Sequence, residues 1–131
     1  MKVVLDASAA ISAVAGEQKQ FVVAALVGAV PVMAPDLFIP EVTNGLWKYV
    51  NAGRLALDEA MQRFDAALTM VNHFHAVADL AEDALREATL HRHPAYDLYY
   101  VVLARRERAA ILTVDGRMRE LCGKIGVPLA A

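Results

Sequence analysis

A single cysteine, Cys122, stands in the 131-residue chain, so no internal disulfide can form and no cysteine zinc cluster can assemble. As a lone thiol within a helix-forming stretch it is expected to be buried and inert. No segment offers about 18 consecutive apolar residues, and Met1-Lys2 leads into a strand too short for a signal-peptide core. A cytoplasmic protein without a membrane span is therefore expected. Neither a P-loop nor a dinucleotide-binding glycine fingerprint is present. No serine or cysteine has a histidine base in a recognisable nucleophile turn, which leaves acyl transfer unsupported. Linkers, repeats and low-complexity tracts are also lacking, and the length fits one domain spanning 1–131.

What is abundant is apolar character: 57% hydrophobic residues and a mean hydropathy of +0.36. That is high for a small soluble chain, and it implies that some surface meets a partner. Net charge is −2, which on its own argues against binding nucleic acid, yet the charges are unevenly spread. Residues 1–85 carry 5 Lys/Arg against 10 Asp/Glu, whereas 86–131 carry 8 against 5. In that basic tail Arg105, Arg106 and Arg108, with Arg117, Arg119 and Lys124, either touch phosphates or form a solvated helix face.

The hydrophobic pattern predicts strands at 2–5, 31–34, 73–77, 110–114 and 127–129. Helices are predicted at 8–15, 18–29, 39–52, 57–71, 78–91, 95–108 and 116–125. Strands apolar throughout, alternating with helices, argue for an α/β fold whose central parallel sheet is covered on both faces. Helix 57–71 carries Leu57, Ala60, Met61, Phe64 and Leu68 on one stripe, suited to core packing or to a helix-pair interface and hence a homodimer.

Two of the apolar runs stop on an acid: Val3-Val4-Leu5 on Asp6, and Ala110-Ile111-Leu112-Thr113-Val114 on Asp115. Ligands of open α/β sheets sit at the carboxyl ends of the strands, so both aspartates should face one crevice. Glu41 after Pro40 and Asp97 after Pro94-Ala95-Tyr96 each open a helix. Taken singly, each suits a first turn for electrostatic reasons alone. Four carboxylates converging without bases would repel one another, and an all-oxygen site of that kind suits Mg2+, with Mn2+ able to substitute. Ser8 is placed to bond a free amide of the first helix. Asn44 and Lys48 share a helix face with Glu41, and Thr113 stands to orient a bound water or to bond backbone. Tyr96, Tyr99 and Tyr100 either pack in the core or flank a base. The pairs His73/His75 and His91/His93 lack a third ligand, so surface or loop positions are expected for them.

In order, Val4-Leu5-Asp6-Ala7-Ser8, Pro40-Glu41-Val42-Thr43-Asn44, Ala95-Tyr96-Asp97-Leu98-Tyr99 and Leu112-Thr113-Val114-Asp115 resemble the PIN-domain ribonucleases, and most of all the VapC-type toxins of toxin-antitoxin pairs. The resemblance spans nearly the whole chain. It implies a PIN-like three-layer fold with a parallel sheet of four to five strands, and a magnesium site formed by Asp6, Glu41, Asp97 and Asp115, with Ser8, Asn44 and Thr113 in support. It also implies an endoribonuclease in which metal-activated water hydrolyses RNA to leave a 5'-phosphate and a 3'-hydroxyl, held in check by a cognate antitoxin. Trp47 would then line the antitoxin's groove, or else belong to the core. Gly116-Arg117-Met118 departs from the family pattern, supplying neither a further acid nor the aromatic often found there. Two other readings use the same residues. A phosphoryl-transfer enzyme with an aspartyl-phosphate lacks the adjacent acid pair it needs at Asp6, and a catalytically silent RNA-binding module would not need all four acids.

Overall fold

Four of the five short apolar runs become strands, three of them buried between helices, in the computed structural model, which describes residues 1–131. The strands are β1 (Val3–Leu5), β2 (Val32–Pro35), β3 (His73–His75) and β4 (Ala110–Leu112). The helices are α1 (Ala7–Ala15), α2 (Lys19–Leu26), α3 (Phe38–Asn51), α4 (Leu57–Thr69), α5 (Ala81–His91), α6 (Ala95–Glu107) and α7 (Gly116–Ile125), with a 3-10 turn at Val77–Asp79 before α5. All pairings are parallel, in the order β3-β2-β1-β4.

Alternate residues of the strands feed two separate cores. Val3, Leu5, Val32, Ala34 and Leu112 pack against α1–α4, joined by Phe38, Val42, Leu46 and Ala67. Val4, Met33 and Ile111 face the other way onto α5–α7, joined by Leu98, Tyr100, Leu103, Met118 and Leu121. The result is a three-layer α/β fold with a parallel sheet of four strands. Every fully buried leucine or isoleucine in these layers contributes about 1.5–3 kcal/mol relative to exposure.

This topology fixes where a site can form. The chain runs from β1 outward to β2 and β3, then returns to place β4 on the opposite side of β1. The order therefore reverses between β1 and β4, and the crevice at their carboxyl ends is the topological switch point. Asp6 and Asp115 lie just beyond those two ends.

Several elements differ from expectation. The segment 127–129 makes only one isolated bridge, Leu129 to Ile111, so no fifth strand forms; Pro128, next to Leu129, removes a ladder donor. α2 stops at Leu26, two residues before the left-handed Gly28 (φ 77°). The expected helix from 78 begins at Ala81, after the 3-10 turn. β3 is not apolar throughout: His73 and Phe74 are exposed, as an edge strand with one neighbour permits. The stretch 110–114 pairs only as far as Leu112, because Asp6 N–H takes the Leu112 carbonyl and the chain then turns away.

Candidate active site

Asp6 sits at the end of β1, only 7% exposed. Both available hydroxyl protons are spent on it: Ser8 Oγ and Thr113 Oγ1 each donate to Asp6 Oδ2 at 2.6 Å. The two hydroxyls lie 3.1 Å apart as close neighbours, since each has only one proton to give. The expected helix-capping bond from Ser8 is absent; Ser8 Oγ instead accepts from Val114 N at 3.3 Å, clamping β4 to the start of α1. Thr113, fully buried, also accepts from Asp115 N at 3.1 Å. The backbone bond expected for Thr113 is formed, and a bond to Asp6 is added. Arg119 donates to the Thr113 carbonyl and fixes the same turn from α7.

Asp115 caps α7, its Oδ2 accepting from Met118 N at 2.9 Å. Asp97 opens α6, where its Oδ2 meets His93 Nε2 at 2.7 Å. Glu41, in the first turn of α3, accepts at Oε1 from the Tyr100 hydroxyl at 2.6 Å. All four acids line one cleft of about 400 Å³ with Ser8, Asn44, Lys48 and Arg117. The spacing of Glu41, Asn44 and Lys48 along α3 thus places all three where it was expected to.

A common pattern runs through these bonds. Each carboxylate is anchored through one oxygen, whereas Asp6 Oδ1, Glu41 Oε2, Asp97 Oδ1 and Asp115 Oδ1 have no protein partner. None of them is sealed away unsatisfied. Electrostatics agrees. Burial raises the Asp6 carboxyl above its usual range against the pull of the two hydroxyls, and the charges of Asp97 and Asp115 add to the rise. Burial, opposed by the Tyr100 bond and reinforced by Asp6 and Asp97, brings Glu41 from 4.5 to about 7. Burial and the charges of Asp6 and Glu41 hold the Tyr100 phenol far above its ordinary value, so it remains a donor.

An all-oxygen donor set with four spare anionic oxygens and mutual repulsion fits a hard divalent cation. As the side chains stand, however, no three acids or histidines are arranged to hold an ion. The acids share a cleft without forming a closed cage.

Two contributors carry no clear mark in the sequence. His93 lies in the loop between α5 and α6, as expected, and from there it anchors Asp97; its i, i+4 spacing to that acid across the start of α6 was the available signal. Tyr100 is fully buried in the core, as one reading held, but its hydroxyl reaches Glu41, 59 positions away, and no local pattern encodes that pairing. Among the basic residues, Arg105 and Arg106 are committed to Glu87 and Asp83 and do not reach the cleft. Arg117 does. Cys122 is buried, with its thiol raised to about 11 by burial and by the nearby acids.

A second feature borders this site. Leu46, Trp47 and Val50 of α3 face Leu57, Met61 and Phe64 of α4 across an apolar groove of about 320 Å³. Trp47 is 56% exposed there and Met61 54%, so Trp47 lies on the groove and outside the core. No helix of the chain is long and apolar enough to cross a membrane.

Comparison with known proteins agrees with this architecture. A family model described as PIN domain matches residues 3–124. Ribonuclease VapC3 of Pyrobaculum aerophilum is 33% identical over 123 residues, covering 92% of this chain and 94% of that protein. Among solved structures, PAE2754 from Pyrobaculum aerophilum superposes with a TM-score of 0.72 at 21% identity, over 92% of this chain and 85% of that one, which is a likeness of fold.

Proposed function

This chain belongs to the PIN-domain family, and from that premise we propose that it is a divalent-metal-dependent endoribonuclease of the VapC toxin kind. The observation that carries the reading is the cleft at the switch point, where four carboxylates each keep one oxygen free. The name of the VapC3 relative supports RNA as the substrate.

Asp6, Asp97 and Asp115 would hold Mg2+, or Mn2+ in its place, with Glu41 lining the same cleft. When bound, the ion would lower the pKa of the attacking water and offset charge on the transferring phosphoryl group. The chain's own residues set the geometry. Ser8 and Thr113 fix Asp6, His93 fixes Asp97, and the Met118 amide fixes Asp115. Tyr100 keeps its proton and so holds Glu41 by Oε1, leaving Oε2 to orient the attacking water and accept its proton. Asn44 and Lys48, on the same helix as Glu41, supply an amide and a cation to the entering phosphodiester. The water oxygen bonds to phosphorus, the bond to the 3'-oxygen breaks as that oxygen takes up a proton from solvent, and Glu41 returns its proton to solvent, so the products carry a 5'-phosphate and a 3'-hydroxyl.

The proposed partners are a cognate antitoxin and a second copy of the chain. The residues expected to serve each, Trp47 for the antitoxin and Met61 with Phe64 for the homodimer, line one groove. An antitoxin peptide seated there would exclude pairing through those residues, and a basic side chain from it would find four acids in the adjoining cleft. The function is tested by sequencing RNA ends after brief induced expression. New 5'-phosphate ends at discrete sites are expected, absent with Asp6→Asn, and no new ends in either case would contradict the reading.

A further inference from the structure

Beside the candidate active site lies a smaller hollow of about 190 Å³ lined by two cations, two histidines, one acid and one leucine. Arg117, Glu120, Leu121 and Lys124 follow at helical spacing on one face of α7, and His91 and His93 close the hollow from the junction of α5 and α6. Its volume is that of about six waters at roughly 30 Å³ each, enough for a phosphate group. The two cavities share a wall: Arg117 lines both, and His93 in the hollow bonds Asp97 in the cleft.

Two of the cations that stay free of ion pairs line this hollow. Arg86, Arg105 and Arg106 are bound up in ion pairs with Glu82, Asp83 and Glu87, and Arg119 is spent on backbone carbonyls. Arg117 and Lys124 take part in no ion pair, and Glu120 on the same wall pairs with neither. His91 is held by Glu87 at 3.1 Å. An acidic cleft in a chain of net charge −2 gives a polyanion little reason to approach, so attraction has to come from cations flanking the cleft.

We propose that this hollow seats a phosphate of the RNA strand next to the one being cleaved, held by Arg117 and Lys124. The inference rests on the ribonuclease reading and adds to it a path for the strand, from the cleft across Arg117 to Lys124. Such interactions carry affinity and register without reading sequence.

The test measures binding of a short labelled single-stranded RNA of mixed sequence to the Asp6→Asn chain in magnesium buffer, over a series of salt concentrations. Adding Lys124→Gln, or Arg117→Gln with Lys124→Gln, is expected to weaken binding several-fold. The slope of log affinity against log salt should become shallower by about 0.7 for each phosphate that is no longer neutralised. Arg108→Gln is the control, since Arg108 is also free of ion pairs but caps α6 at the end opposite Asp97; it should change neither quantity. Unchanged affinity and slope in the Arg117/Lys124 double variant, with RNA cleavage by the unmutated chain intact, would overturn the phosphate seat alone. A chain that neither binds nor cleaves RNA would overturn the ribonuclease reading with it.

Discussion

Thr113 does more at this site than its size suggests. Its hydroxyl donates a hydrogen bond to Asp6 and accepts one from the Asp115 amide, so one buried atom ties the ends of β1 and β4 together. Thr113→Val keeps the shape and removes both bonds. It is expected to cost about 1–3 kcal/mol in chemical denaturation, because a buried carboxylate and an amide lose a partner, and to lower RNA cleavage as well. Unchanged stability would mean that the two groups find water instead. Glu41 gives a pH-dependent prediction. Its carboxyl titrates at 4.5 ordinarily and at about 7 in the fold, and Asp6 is shifted in the same direction. Between those values the folded chain holds a proton on Glu41 that the unfolded chain has released, so the contribution of Glu41 to stability is greatest below 4.5 and falls as pH rises to about 7. Thermal melts in EDTA should show that decline, Glu41→Gln should flatten it, and magnesium should raise the melting temperature more above the window than below it. A metal-free melting temperature that climbs across the window would contradict this account of Glu41.

At the scale of elements, the approach of α1 and α3 governs the width of the cleft. Gly45 of α3 faces Ile11 of α1 so closely that an added Cβ would lie 2.3 Å from Ile11 Cδ1. Gly45→Val is therefore expected to push α3 outward, carry Glu41 away from Asp6, and reduce cleavage while the far-ultraviolet circular dichroism stays native; full activity in that variant would show that Ile11 yields instead. Much of this layout was legible in the sequence. Asp6, Glu41, Asp97 and Asp115 each stand at the end of a strand or the start of a helix, and a parallel sheet leaves such junctions few places to go. The bonds from Tyr100 to Glu41 and from His93 to Asp97 depend on how α3 and α6, on opposite faces of the sheet, meet beyond its carboxyl edge and on how the α5–α6 junction turns, and hydrophobic periodicity carries no record of either. The stretch 127–129 has a strand's composition, but it follows the left-handed Gly126 and contains Pro128, and it docks on Ile111 through one bridge.

The whole molecule presents two contrasting faces: an acidic cleft bordered by free cations, and an apolar groove between α3 and α4. Sedimentation of the isolated chain at micromolar concentration is expected to show a homodimer, and Met61→Glu to leave a monomer; a wild-type monomer would remove the groove as a self-pairing surface. The same substitution should weaken co-purification of the antitoxin expressed from its own operon. The central claim is that the cleft cuts RNA through a metal ion held in part by Asp6, and cleavage by the purified chain tests it most directly. Wild type and folded Asp6→Asn protein are compared with magnesium and with excess EDTA. The account expects discrete cutting by wild type in magnesium alone, with little from Asp6→Asn and none in EDTA. Asp6→Asn protein that cuts as fast as wild type, or cutting undiminished by EDTA, would contradict it.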